Sequence, residues 1–327
     1  MEQSEPIQFV RDLVNSHTLA RCIHVVADLG VADALQDRPA TAADLASRTG
    51  ASSDALNRIL RLLAAHGVFA VEPEGYVHTA ASRLLRSDHP QSLQSFARMM
   101  GMPVIWNSFT ELGTAAKTGM PALNWAELVQ YFSDHPEEAS LFNQAMVGKS
   151  GAVIPAVIEA YDFTQFRTVV DLGGGRGHLL RAILQRSPSA SGILFDLPHV
   201  IADSQNNASE RLRLQAGDFF VDPLPVADVY VLMEVIHDWN DERAAMILAA
   251  IRRVAPRHAR VLIIETLVSD SPGPHFGKTL DVIMLAVTGG RERTVLEYEA
   301  LLGAAGFRFD RVVRTRSQHS LVEAVVE

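Results

Sequence analysis

The sequence predicts a chain of mixed class: a mainly α-helical N-terminal part with a winged-helix pattern, then an α/β part built on a mostly parallel sheet. Three observations predict it. From about residue 161 short apolar runs alternate with helical stretches, the mark of a parallel sheet covered on both faces. Before residue 90 the order is helix, turn, helix, hairpin. Between them, residues 91–160 hold helical periodicity with few turn signals. A length of 327 residues exceeds one ordinary domain and suits two, and the chain divides as 1–90, 91–160 and 161–327.

The elements follow in order. Phe9, Leu13, Leu19, Ile23, Val26 and Leu29 recur at helical spacing on more than one face. Thr41-Ala42-Ala43-Asp44 reads as a capping box with Asp in place of Glu or Gln, opening a short helix that ends near Gly50. A second helix starts at Ser52 or Ser53, carries Leu56, Ile59, Leu60 and Leu63, and stops at His66-Gly67. Residues 68–71 and 76–78 flank Pro73-Glu74-Gly75, which reads as a hairpin. The middle region is rich in Met and aromatics from Met99 to Met146. It breaks only around Gly119-Met120-Pro121 and Asp134-His135-Pro136. Most of these large side chains are expected in the core, and a few are candidates to line a pocket for a flat organic molecule. Strands are expected at 168–172, 192–195, 211–215, 229–233, 260–265, 307–313 and 321–326, with helices near 177–187, 198–208, 241–254 and 294–305. Only 314–319 separate the last two strands, too few residues for a parallel crossover, so that pair is expected to be antiparallel.

Composition excludes several function classes. A formal net charge of −9 disfavours a nucleic-acid binder, which needs a basic face. Over residues 1–100, nine arginines and no lysine stand against eleven acids, so a winged-helix DNA reader is a poor electrostatic fit. The one cysteine, Cys22, rules out an internal disulfide or a Cys-rich metal site and reads as a small core residue. No His and acid cluster has metal-ligand spacing. No apolar run reaches a membrane span of roughly 18 residues, and Met1-Glu2-Gln3-Ser4-Glu5 lacks a signal-peptide pattern, so a cytoplasmic protein is expected.

The chemistry begins at Asp171-Leu172-Gly173-Gly174-Gly175-Arg176-Gly177. Glycines here let the backbone approach a ligand, and the helix start offers free N–H groups, at the carboxyl end of a strand where open sheets bind ligands. The spacing is D-x-G-x-G-x-G, and residue 178 is His, so the G-x-G-x-x-G dinucleotide fingerprint is not met. Asp196, before Leu197, ends the second strand, where a carboxylate takes ribose hydroxyls. Asp218, between Gly217 and Phe219, follows the third and suits an adenine amino group. Each acid alone reads equally well as a cap or turn residue. Three at the ends of three successive strands point to an adenosyl ligand.

The fourth strand then runs into Glu234-Val235-Ile236-His237-Asp238-Trp239. With 171–177, 195–200, 217–220, Glu265, Gly289-Gly290-Arg291-Glu292-Arg293-Thr294 and Ala305-Gly306-Phe307, this segment resembles the small-molecule O-methyltransferases. These include the plant caffeate and flavonoid type, the hydroxyindole type, and the bacterial enzymes that tailor polyketides and phenazines. The resemblance covers nearly the whole chain. It implies a Rossmann-like class I methyltransferase domain whose seven-stranded sheet has an antiparallel last strand, and an N-terminal winged-helix dimerisation domain. It also implies S-adenosyl-L-methionine as cofactor, S-adenosyl-L-homocysteine as product, an aromatic acceptor, a homodimer and no metal.

By the same resemblance His237 is the general base, flanked by Glu265 and Glu292, and Asp171, Gly173, Gly175, Asp196, Leu197, Gly217, Asp218, Phe219, Met233 and Trp239 line the cofactor. Taken alone, Glu292 reads as an ion pair with Arg291 or Arg293, and Glu265 as a cap or loop acid. Trp239 reads either as an adenine contact or as an anchor for its loop, and Asn240 or Asp241 as the cap of the next helix. Plant members carry Lys where this chain has Met233. Met146 and Met284 are candidates to hold an aromatic acceptor, and equally ordinary core methionines. A non-methylating enzyme on the same scaffold is the alternative activity, decided by whether the product gains a methyl group.

Overall fold

The computed structural model describes residues 4–204 and 208–327. They form two compact units. The first takes the chain up to Asn107 together with Gln130–Lys149, and the second takes Ser108–Val129 and Ser150–Glu327.

The first unit opens with the helix Ser4–Asp28. Its N-terminal half exposes Ile7, Phe9, Val10, Leu13 and Val14, each more than half accessible. The helix Ala42–Thr49 starts at a capping box in which Thr41 and Asp44 exchange hydrogen bonds, so the shorter Asp serves where Glu is usual. The helix Ser53–Ala65 buries Leu56, Leu60 and Leu63. Two short strands, β1 (Phe69–Glu72) and β2 (Gly75–His78), pair antiparallel and complete the wing. Cys22 is half-buried against this core, and burial pushes its thiol up.

The second unit is a seven-stranded sheet. Its strands are β3 (Thr168–Leu172), β4 (Ser191–Asp196), β5 (Leu212–Ala216), β6 (Val229–Met233), β7 (Arg260–Thr266), β8 (Phe307–Arg314) and β9 (His319–Val326). The order is β5-β4-β3-β6-β7-β9-β8. The first five strands are parallel, and β9 runs antiparallel to both β7 and β8. Side chains alternate across the strands. Val170 and Leu172 enter one hydrophobic cluster while Val169 enters the other, so the sheet is buried on both faces. The order reverses between β3 and β6. Loops leaving their carboxyl ends diverge there and open a crevice.

Two sequence expectations need amendment. The helix expected over 198–208 is formed at Pro198–Asp203, and residues 205–207 lie outside the described ones. A helix that the periodicity did not announce runs Phe276–Val287, capped by His275 and burying Leu280 and Met284. The segment before it, Asp270-Ser271-Pro272-Gly273-Pro274, is so dense in turn residues that it masks the apolar spacing that follows. No helix among the described residues is long and apolar enough to cross a membrane.

Candidate active site

At the crevice, the chain leaving β3 turns through Gly173, Gly175 and Gly177, all at positive φ (68°, 58° and 69°). Gly174 is needed for another reason: a Cβ there would lie 2.4 Å from the Asp171 carboxyl carbon. Asp196 at the end of β4 holds this turn. Its Oδ2 accepts from the Gly175 N–H at 2.8 Å and its Oδ1 from the Leu197 N–H at 2.7 Å. Its carbonyl accepts from the Gly217 N–H at 3.0 Å. Burial lifts the Asp196 carboxyl above the usual carboxylate range, against the pull of those N–H groups. Asp218 accepts from the Phe220 N–H at 2.8 Å, so it shapes its own turn. Phe219 lies beside Gly173, within 3.9 Å of where a Cβ would stand.

Asp171 is 1% exposed, and neither of its oxygens has a hydrogen-bond partner. Burial, then the Asp196 charge, push it up to about 7, against a weaker pull from the Leu180 N–H, which lies near the carboxyl without completing a hydrogen bond. A buried, unpartnered acid is costly, and its survival at a crevice is a sign of a ligand group.

Across the crevice, β6 ends at Met233, which is half-buried against the sheet core. Glu234 follows at φ 56°, a left-handed conformation rare for a residue with a side chain. Its Oε1 lies 3.0 Å from His319 Nε2. A short 3₁₀ turn, Ile236–Asp238, then presents His237, which is 6% exposed. Its Nδ1 stands 2.6 Å from Glu292 Oε1. Its backbone N–H donates to Glu265 Oε1 at 3.0 Å, and Tyr298 donates its hydroxyl to the other oxygen of Glu265. The two acids therefore do different work. Glu292 hydrogen-bonds the ring, whereas Glu265 grips the main chain of the turn and acts on the imidazole through its charge. The nearest acid to Nε2 is Asp238 at 3.8 Å, beyond hydrogen-bond reach.

Burial alone would lower the His237 value. The Glu292 hydrogen bond, then the charges of Asp238, Glu265 and Glu292, outweigh it and raise the imidazole to about 10. Burial lifts Glu265 to about 8, with His237 pulling the other way.

The ion pairs that the sequence offered for Glu292 go elsewhere. Arg291 binds Asp241 and Glu297, and Arg293 binds Asp241. Gly290 is required by close approach, because a Cβ would lie 2.0 Å from the His237 carbonyl oxygen. The Arg291 N–H donates to that same carbonyl at 2.8 Å. Trp239 stands edge-on to Phe220, with centroids 4.8 Å apart, and lies 5.8 Å from Trp125, so it has the packing of a loop anchor. Asn240 caps the helix Asp241–Val254 through the Arg243 N–H. Met284 is buried on the helix Phe276–Val287. Met146 belongs to the first unit, half-buried on the helix Pro136–Ala160. No group of three or more His, Cys, Asp or Glu among the described residues is placed to hold a metal ion.

Tyr298 and the buried Arg293 escaped the sequence reading. Tyr298 sits on an apolar helix face with Leu301 and Leu302 and reads as core. Its one signal is that a buried phenol needs a partner for its hydroxyl.

Comparison with known proteins gives the family. Residues 111–308 match the model of an O-methyltransferase domain, and residues 11–88 that of an O-methyltransferase dimerisation domain. A phenazine O-methyltransferase of Lysobacter antibioticus is 39% identical over 95% of this chain and 94% of its own length. A mitomycin biosynthesis 6-O-methyltransferase of Streptomyces lavendulae is 34% identical over 92% and 89%. The solved structure of a methyltransferase of calicheamicin biosynthesis, bound to S-adenosylhomocysteine, superposes with a TM-score of 0.88 at 35% identity, covering 100% of both chains. The chain belongs to the O-methyltransferase family, with that family's dimerisation domain at residues 11–88.

Proposed function

We propose that the protein transfers a methyl group from S-adenosylmethionine to a phenolic or enolic hydroxyl of an aromatic small molecule of secondary metabolism, with His237 as general base and no metal. The observation that carries this reading is the Glu292–His237 contact. A carboxylate 2.6 Å from Nδ1 orients the ring and keeps a proton on that nitrogen, so Nε2 is the acceptor once the ring, protonated at rest, has released its second proton.

The crevice residues fit the cofactor. Asp171 has two unpartnered oxygens for N–H donors of the methionyl part. Asp196 uses one lone pair on each oxygen for the turn and keeps others for ribose hydroxyls. Gly173, Gly175, Leu197, Gly217, Asp218, Phe219, Met233 and Trp239 complete the lining we propose. S-adenosylmethionine supplies an electrophilic methyl carbon on its sulfonium.

The protein's own part is to hold the hydroxyl and take its proton. A phenol titrates near ~10, so it matches the raised His237. Phenol with imidazole, and phenolate with imidazolium, hold the same protons. With matched values the shift between them costs little, and the second state carries the nucleophile. Orientation of the two reactants supplies on the order of 7 kcal/mol or more. We place the acceptor ring in contact with Met284, whose flexible thioether adapts to flat ligands. The exposed apolar residues of the helix Ser4–Asp28 support a homodimer.

Incubation with S-adenosylmethionine and a panel of hydroxylated phenazines, quinols and simple phenols tests the reading by product mass. A gain of one methyl group is expected, together with S-adenosylhomocysteine. A product of unchanged carbon count would replace methylation with another use of the cofactor.

A further inference from the structure

Arg293 is the largest fully buried side chain of the structure, and its guanidinium touches no proposed reactant. Its hydrogen bonds go to the two loops that carry His237 and Glu292 and to the first residue of the helix Asp241–Val254. Nη1 donates to the Ile236 carbonyl at 3.3 Å, one residue before His237, and Nη2 to the Trp239 carbonyl at 2.9 Å, two residues after it. Nη1 also reaches the Arg291 carbonyl at 3.3 Å, next to Glu292. Nε donates to Asp241 Oδ1 at 2.9 Å. The guanidinium carbon lies 5.8 Å from the Tyr298 ring centroid, whose hydroxyl serves Glu265.

We propose that Arg293 is the positioning residue of the site, a clamp that fixes the His237 turn on both sides against the loop carrying Glu292. The geometry follows from donor chemistry. A guanidinium is a rigid planar fork with five N–H donors, so it can bridge three carbonyls and a carboxylate at once. A lysine at the same place carries the charge but not the fork. Burying the cation costs free energy, and the return is the alignment of Nδ1 with Glu292 Oε1. Its charge also pulls the Glu265 value down against burial, favouring the carboxylate that accepts from the His237 N–H.

This inference rests on His237 being the base, and the test separates the two. Arg293→Lys should lower kcat on the order of 100-fold, the scale of an ångström-sized misplacement of a catalytic group. KM for S-adenosylmethionine should stay within about threefold, and the acid limb of the kcat–pH profile should move. In the resting enzyme, proton NMR should show a far-downfield signal from the Nδ1 proton shared with Glu292, absent in Arg293→Lys and in Glu292→Gln. The NMR reading needs no turnover, so it stands even where His237→Ala proves active and the base is reassigned. A folded Arg293→Lys with full kcat and an intact signal overturns the clamp. Should that variant fail to fold, Asp241→Asn decides. Asp241 is exposed and anchors the fork, so a drop of about threefold to tenfold with a weakened signal is expected, and wild-type values overturn the proposal.

Discussion

The two sides of the crevice are built on opposite principles. On the β3–β5 side the contacts are backbone N–H groups folded around Asp196, all within residues 171–222, and the polar atoms left over are the two oxygens of Asp171. On the β6–β7 side the contacts are side chains from four separate stretches. His237, Glu265, Glu292 and Tyr298 already satisfy one another except at Glu292 Oε2 and at His237 Nε2, the atom proposed to meet the acceptor. The first side is completed by its ligand, and the second is completed by the chain before any ligand arrives. A preorganised cluster needs no rearrangement at the moment of reaction, whereas a binding rim gains affinity by keeping donors and acceptors open.

The sharpest way to break this contrast is to remove the base. His237→Ala is expected to lower kcat about 10²–10⁴-fold, while calorimetric affinity for S-adenosylhomocysteine stays within about threefold. Near-normal turnover would sink His237 as the base and leave the rim untouched. The opposite split is expected at Asp196→Ala. That change orphans the Gly175 and Leu197 N–H groups and removes the proposed ribose acceptor. At about 1–3 kcal/mol for each buried group left unpaired, affinity for S-adenosylhomocysteine should fall roughly 30-fold or more. The rate at saturating cofactor should change far less. Equal losses of rate and affinity in both variants would mean that the two sides are one cooperative unit.

That contrast also explains what the sequence shows. The β3–β5 side is legible because its features are short-range: a glycine cluster at a strand end and an acid at each next strand end. The last two strands, β8 and β9, and their antiparallel pairing are legible from a connection too short to cross over. The base cluster is legible only through its resemblance to a family, because 55 residues separate His237 from Glu292 and no local spacing joins them. What stayed hidden depends on partners. Glu265 looks like a ring contact and grips a backbone N–H instead. Arg293 reads in the sequence only as an ion-pair partner for Glu292, yet it is fully buried and pairs with Asp241 instead. The helix Phe276–Val287 was masked by the turn residues before it.

Within the base cluster the division between Glu292 and Glu265 gives a smaller, sharper effect. Glu292→Gln keeps an acceptor for Nδ1–H but removes the charge that helps to raise His237. The imidazole then gives up its proton at lower pH. The acid limb of the kcat–pH profile should move to lower pH by on the order of one unit or more, and the maximum should fall about tenfold, because a weaker base drives the transfer less well. An unmoved acid limb would assign that limb to a group other than His237.

The smallest effect tests the rim without any turnover. Asp171 titrates at about 7 in the folded chain, against an ordinary aspartate value near ~3.9. Below pH 4 the folded and unfolded chains both keep the proton, and the carboxyl costs nothing. Between pH 4 and 7 the unfolded chain has released the proton while the folded chain keeps it, because ionising would leave a charge in a buried site with no hydrogen-bond partner; stability therefore falls over that range and levels off above pH 7. Asparagine has the same shape and no proton to lose. In the ligand-free protein Asp171→Asn should therefore be more stable than wild type by about 1–2 kcal/mol at pH 8 in urea unfolding, with the difference closing by pH 4. S-adenosylhomocysteine should reverse the order, because its N–H donors find the carboxylate in the wild type and only a neutral amide in the variant. A variant less stable than wild type at pH 8 without ligand would show that the chain itself satisfies Asp171, and the rim would then be as complete as the base cluster.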